Sequence, residues 1–210
     1  MDIYFMRHGE TDYNQKHLLQ GQRDIALNNA GKEQARSAAE WCRKNKICFR
    51  RVFSSPLLRA RETAEIVSGF PEEKIEIDPR LIEIDFGPIE GKKWEDLSDT
   101  EMNYVNDPWN GRPVRGVEPA DQLIARVSGF LENLRVQALE ERQEPAAAAD
   151  HSAVLAVTHG MALHGILTAL TRDRGLWKVP LGNCCIFHVR TDGNTYSAPE
   201  RLTPPVPTFR

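Results

Sequence analysis

Two apolar runs end in the same dipeptide, and this constrains the chain more than any other feature. Asp2 to Met6 and Ser152 to Thr158 each read as a short buried strand. The first leads through Arg7 into His8-Gly9, and the second breaks directly at His159-Gly160. In open α/β sheets the carboxyl ends of the strands line the ligand crevice, so histidines far apart in sequence can meet there. A lone strand-end histidine is more often structural. A pair with an arginine beside the first points to chemistry.

The intervening sequence supplies helices in alternation with strands. Asn28 can cap a helix to about Asn45, with Ala35, Ala38, Ala39 and Cys42 on one face. Arg51 to Ser54 is a further strand. Ser55-Pro56 then reads as N-cap and N1 proline of a helix carrying Leu57, Leu58, Ala64 and Val67 and ending at Gly69. Leu123, Val127, Phe130, Leu131, Leu134 and Ala138 form one apolar stripe on a long helix over about 120–141. A helix of Met161 to Leu170 follows His159. Cys185 to Arg190 and Thr195 to Ala198 read as strands around a turn at Asp192-Gly193. The expected fold is therefore an α/β three-layer sandwich, with a mostly parallel sheet, helices on both faces and an antiparallel edge strand. A single domain is expected over 1–198. An irregular segment at about 71–118 holds one short helix near 94–104 and suits a cap that sets specificity. A connector is expected at 143–150 and a frayed proline-rich tail at 199–210.

Composition narrows the partners. The chain has 210 residues, enough for one sizeable core, and a net charge of -3. That balance gives no reason to expect nucleic acid or an anionic membrane. No stretch is long and apolar enough for a membrane span, and the N-terminus MDIYFMRHGE does not read as a signal peptide, so a cytoplasmic location is expected. Cys42, Cys48, Cys184 and Cys185 suggest neither a zinc site nor a disulfide framework. No metal-ligand cluster and no cofactor site is evident. The oligomeric state is left open.

Arg7 and Arg59 stand at two strand ends, where guanidinium forks suit phosphate oxygens. Gly9 and Gly160 allow close backbone approach to an anion. The helix start after His159 adds a favourable dipole. His17, His151, His164 and His188 show no matching pattern and read as structural or surface residues.

Arg7-His8-Gly9-Glu10-Thr11 with Asn14 resembles the signature of the histidine phosphatase superfamily, which includes the phosphoglycerate mutases. The resemblance continues, in order, through Leu19-Gln20-Gly21-Gln22, Ala26-Leu27-Asn28 with Gly31, and Ser54-Ser55-Pro56-Leu57-Leu58-Arg59-Ala60 with Thr63-Ala64. It then takes in Leu81-Ile82-Glu83, Phe86-Gly87, Glu90-Gly91, Val157-Thr158-His159-Gly160 and Asn183.

The resemblance implies a small-molecule phosphomonoester as substrate and His8 as the nucleophile that becomes phosphohistidine. Arg7, Arg59 and His159 would hold the phosphoryl oxygens. Asn14 and the backbone at Gly21 would complete the pocket, with the amide of Asn183 nearby. Glu83 would protonate the leaving alkoxide and then deprotonate water. Each role is physically apt. A neutral imidazole is a competent nucleophile near pH 7. Fixed cations do most of the work in phosphoryl transfer, so the activity is expected to be metal-independent. A carboxyl can donate a proton if burial raises its pKa.

Mutases resemble one another in a histidine-tyrosine-glycine run after the catalytic glutamate. Here Ile84-Asp85-Phe86-Gly87 stands in that place, closer to the phosphatase branch. Gly116-Val117-Glu118-Pro119 stands where many relatives read Gly-Glu-Ser, which puts a substrate contact there in doubt. Hydrolysis is the expected activity. A cofactor-dependent phosphoglycerate mutase and a catalytically silent phosphate-binding module are the alternatives.

Overall fold

The computed structural model describes residues 1–143 and 153–202. The expected connector beyond residue 143, His151 and the tail beyond residue 202 lie outside the described residues. Strands β1 (Asp2–Arg7), β2 (Phe49–Ser54), β3 (Glu76–Ile77), β4 (Ala153–Thr158), β5 (Ile186–Arg190) and β6 (Glu200–Leu202) form one sheet. Their spatial order is β3-β2-β4-β1-β5-β6. The pairs among β1 to β4 are parallel, whereas β5 runs antiparallel to both β1 and β6. Helices α1 (Asp12–Gln15), α2 (Asn29–Lys44), α3 (Leu58–Ser68), α4 (Asp99–Asn106), α5 (Ala120–Gln143) and α6 (Gly160–Thr171) complete the described elements, with several single 3-10 turns.

Side-chain alternation along the central strands divides the core into two layers. Ile3 and Phe5 of β1, with Val154 and Ala156 of β4, pack beneath α5 and α6. Met6, Leu155 and Val157 face the other way, onto Ala35, Ala38 and Cys42 of α2 and Ala60, Ala64 and Val67 of α3. The six stripe residues of α5 are all buried. Each large apolar side chain so removed from water contributes roughly 1.5–3 kcal/mol. The chain is thus the three-layer α/β sandwich that its periodicity predicts.

Three local expectations are corrected. Ser55 does not cap α3: the cap position is Leu57, and the Leu58 backbone N–H donates instead to Asp24 Oδ1 at 2.6 Å. Residues 195–198 pair across the turn at Asp192-Gly193 only by an isolated antiparallel bridge, Tyr196 to Thr191, and form no full strand. The Arg190 N–H donates to the Ser197 hydroxyl rather than to a ladder carbonyl, and Tyr196 turns its hydroxyl to the Leu131 carbonyl on α5. The pairing strand is β6, formed by residues placed in the tail from sequence. The short helix of the cap is α4, which starts at Asp99 rather than at Trp94 and is capped by Ser98 in a reciprocal capping box with Glu101. No described helix is long and apolar enough to cross a membrane.

Candidate active site

β1 and β4 lie side by side at the centre of the sheet, with Arg7 in register with Thr158. The next residue on each strand is therefore a histidine, and the two imidazoles sit 5.1 Å apart, centroid to centroid. The turn after β1 is held against α2 by a close backbone approach. A Cβ on Gly9 would lie 2.5 Å from the Gly31 carbonyl oxygen, and one on Gly31 would lie 2.0 Å from that of Glu10. Gly9 is thus required by this packing. Glu10 serves the same junction, its carboxylate accepting from Asn28 Nδ2 at 2.9 Å.

His8 is buried, and its Nδ1 lies 2.6 Å from the Gly9 carbonyl oxygen. A carbonyl only accepts, so Nδ1 carries the proton and Nε2 keeps its lone pair. Desolvation, and then the charges of Arg59 and Arg7, hold its pKa well below the usual histidine range. The ring is neutral at pH 7.

Arg7, His8, Asn14 and Glu83 line one large cavity. Arg7 donates from one terminal nitrogen to the Leu181 carbonyl, while its Nε is buried without a partner among the described residues. Asn14 accepts at Oδ1 from the Thr11 backbone and from Asn183 Nδ2, both at 3.2 Å. Its own Nδ2 has no partner among the described residues. Asn183 acts at one remove. It donates to Asn14 and, at 3.1 Å, to the His8 carbonyl, fixing both.

Arg59 and His159 form the layer behind, fully buried and outside the cavity lining. Arg59 donates to the carbonyls of Gly21 at 2.7 Å and Arg23 at 2.8 Å, and from Nε to His159 Nδ1 at 3.2 Å. With the Gln20 amide turned so that its oxygen faces Arg59, that oxygen accepts at 3.1 and 3.2 Å. Because His159 accepts at Nδ1, its Nε2 donates to Ser55 Oγ, at 2.6 Å. Burial and the Arg59 charge push its pKa well down. Gly21 contributes through its carbonyl. Its N–H is taken by Glu90 Oε1 at 2.9 Å.

Glu83 sits at the N-terminus of α6. Its carboxylate accepts from the backbone N–H groups of Ile84 at 2.9 Å, Ala162 at 3.0 Å and Met161 at 3.1 Å. Burial raises its pKa above the usual range, although these N–H groups and Arg59 pull the other way. Gly160 lies between the two charged groups, its Cβ position 3.7 Å from both Glu83 Oε2 and Arg7 Nε.

Sequence reasoning missed what holds Glu83 in place. Arg126 of α5 donates to the carbonyls of Arg80, Ile82 and Glu83, and pairs with both oxygens of Glu118 at 2.8 and 3.0 Å. Glu118 in turn accepts from the Asp85 N–H at 3.1 Å. The departure at 116–119 therefore supplies a brace for the loop that carries Glu83. The signal was an arginine on the polar side of a helix, which periodicity alone reads as solvent-facing.

The cavity measures about 990 Å³. Trp94 and Arg112 of the cap segment line it, whereas Tyr104 is buried in the core and Lys92 pairs with Glu101 at 2.7 Å. His164, read from sequence as structural or surface, also lines it. Among the described residues no group of three or more His, Cys, Asp or Glu side chains is placed to hold a metal ion.

The buried histidines make stability depend on pH. His8, His159 and His164 all have lowered pKa values, that of His164 about 4, with desolvation the first cause. Unfolded, they titrate near 6.5. Their contribution is therefore complete above about pH 6.5 and is lost as pH falls, because the unfolded chain then takes up protons that the folded chain refuses. Glu83, raised by burial, works in the opposite sense and offsets part of this loss. Stability is expected to fall by roughly 1–3 kcal/mol per pH unit below about pH 6. Urea unfolding at pH 5.5 and 7.5 checks this, and an equal or higher midpoint at pH 5.5 contradicts it.

Residues 3–200 match the family model of the histidine phosphatase superfamily (branch 1). A protein of Hydrogenobacter thermophilus named putative phosphoserine phosphatase 2 is 30% identical over 197 residues, covering 91% of this chain and 90% of the relative. The probable phosphoglycerate mutase GpmB of Escherichia coli is 33% identical over 196 residues, covering 90% of this chain and 84% of the relative. Among solved structures, the mycobacterial glucosyl-3-phosphoglycerate phosphatase with VO3 superposes with a TM-score of 0.76 at 25% identity, covering 95% of this chain and 97% of that one.

Proposed function

The chain belongs to the histidine phosphatase superfamily, branch 1, and we propose that within it this protein is a metal-independent phosphomonoester hydrolase working through phosphohistidine on His8. One observation carries the reading. A neutral imidazole with a free Nε2, an arginine with an unpartnered buried N–H and a carboxyl with a raised pKa line the same cavity.

In the proposed reaction His8 Nε2 attacks phosphorus, and the bond to the ester oxygen breaks. Glu83 gives its proton to the departing alkoxide. Water then attacks the phosphohistidine, Glu83 takes a proton from it, and the N–P bond returns its electron pair to Nε2. Arg7 and Asn14 Nδ2 bind the equatorial oxygens. From behind the ring Arg59 supplies positive field, and the neutral His159 orients Arg59 and Ser55 through its two ring nitrogens. These fixed cations supply the charge that the transition state needs.

Glu83→Gln tests the acid role. Gln keeps the shape and loses the proton. Phosphate release from an alkyl ester is expected to slow by about 10²–10³-fold. Release from p-nitrophenyl phosphate, whose leaving group needs no proton, is expected to slow less than about tenfold. Equal slowing removes Glu83 from the role.

The likeness to GpmB favours a second reading, in which a substrate hydroxyl rather than water accepts the phosphoryl group. Phosphate release in excess EDTA from a panel of phosphomonoesters supports the hydrolase. Phosphoryl exchange dependent on 2,3-bisphosphoglycerate, without net release, supports the mutase instead.

A further inference from the structure

The cavity before His8 is far larger than a phosphoryl group requires. Two parts of its outer wall have no role in the chemistry above. The first is α4, which presents Thr100, Asn103 and Asn106 at three-residue steps along one face. The amides of Asn103 and Asn106 have no partner among the described residues. The second is His164. Its Nδ1 donates to the Leu176 carbonyl at 2.9 Å, and its ring stacks on Trp177 at 5.6 Å between centroids. Burial holds the ring neutral, so its Nε2 is an acceptor on the cavity wall.

Charge in this outer part is largely cancelled. Lys178 Nζ lies 2.9 Å from Asp107 Oδ2, and both residues line the cavity. Arg112 is exposed, as are Asn103 and Asn106, and solvent screens its charge. A carboxylate on the leaving group finds no buried cation here beyond Arg7, which the phosphoryl group occupies. Primary amides and a neutral imidazole instead match hydroxyls, which both donate and accept. Trp94 offers the flat apolar surface that suits the C–H face of a sugar ring.

We infer that the leaving group is an uncharged polyol, making the substrate a sugar phosphate whose hydroxyls are read by Asn103, Asn106 and His164. This rests on the hydrolase reading for turnover but not for binding, and the test separates the two. Calorimetric binding of a hexose phosphate and of 3-phosphoglycerate to the His8→Ala chain reads preference without turnover. The sugar phosphate is expected to bind at least about tenfold more tightly. In the wild-type background, Asn103→Ala with Asn106→Ala is expected to lower the ratio of kcat/KM for the hexose phosphate to that for p-nitrophenyl phosphate by about tenfold. Equal or tighter binding of 3-phosphoglycerate overturns the inference, as does an unchanged ratio. Failure to hydrolyse p-nitrophenyl phosphate overturns the hydrolase reading, while the binding preference still decides the ligand class.

Discussion

Replacing His8 by alanine is expected to lower kcat for phosphate release by at least about four orders of magnitude. The reason lies in the neighbouring imidazoles. His159 is the nearest, but its Nδ1 accepts from Arg59 and its Nε2 donates to Ser55, so neither nitrogen presents a lone pair to the cavity. His164 shares the cavity but is held against Trp177 and the Leu176 carbonyl. Hydrolysis by water attacking directly retains the Arg7 and Asn14 contacts, and these alone support only a residual rate. The fold is expected to survive, since loss of one buried ring costs about 1–3 kcal/mol. Steady-state phosphate release beside a thermal melt checks both statements. Activity above a few per cent of wild type removes His8 from the nucleophile role.

Arg59→Met is expected to have the largest combined effect on stability and rate. Arg59 is fully buried and supplies donors to the Gly21 and Arg23 carbonyls and to His159. Methionine fills similar space and makes none of these bonds, which strands two buried acceptors and one part-buried one. A cost of about 3–5 kcal/mol follows, enough to lower Tm by roughly 10 °C in a chain of this size. Burial lowers the pKa of Arg59 to about 10, so it still carries its charge at neutral pH. Loss of that field is expected to cut kcat/KM by a further 10²-fold or more. Arg59→Lys separates the two effects. It keeps the charge without the planar fork, so it is expected to recover rate more than stability. A Met variant that melts like wild type contradicts the account of the buried layer.

Much of the frame was legible because it rests on period and position. The alternation of Ile3 and Phe5 against Met6, and the apolar run of 153–158, fix two central strands. Once those strands are parallel neighbours, His8 and His159 must meet. The stripe on α5 gave that helix in the same way. What was not legible depends on contacts between distant segments. Nothing near Ser55 says that its hydroxyl serves His159 rather than α3. Nothing near Gly21 says that its N–H is taken by Glu90, 69 residues on. Arg126 and Glu118 brace Glu83 across a loop whose course no local pattern encodes. Residues 200–202 were hidden by the prolines around them, because pairing with β5 is a tertiary decision.

In the proposed reaction the phosphoryl group passes through His8. Rapid alkaline quenching during turnover of a phosphorus-labelled ester, followed by peptide mapping, tests it most directly. Alkali-stable, acid-labile label is expected on His8, formed no slower than phosphate is released and absent from His8→Ala. Label on any other residue, or full-rate release with no labelled protein at any time, contradicts it.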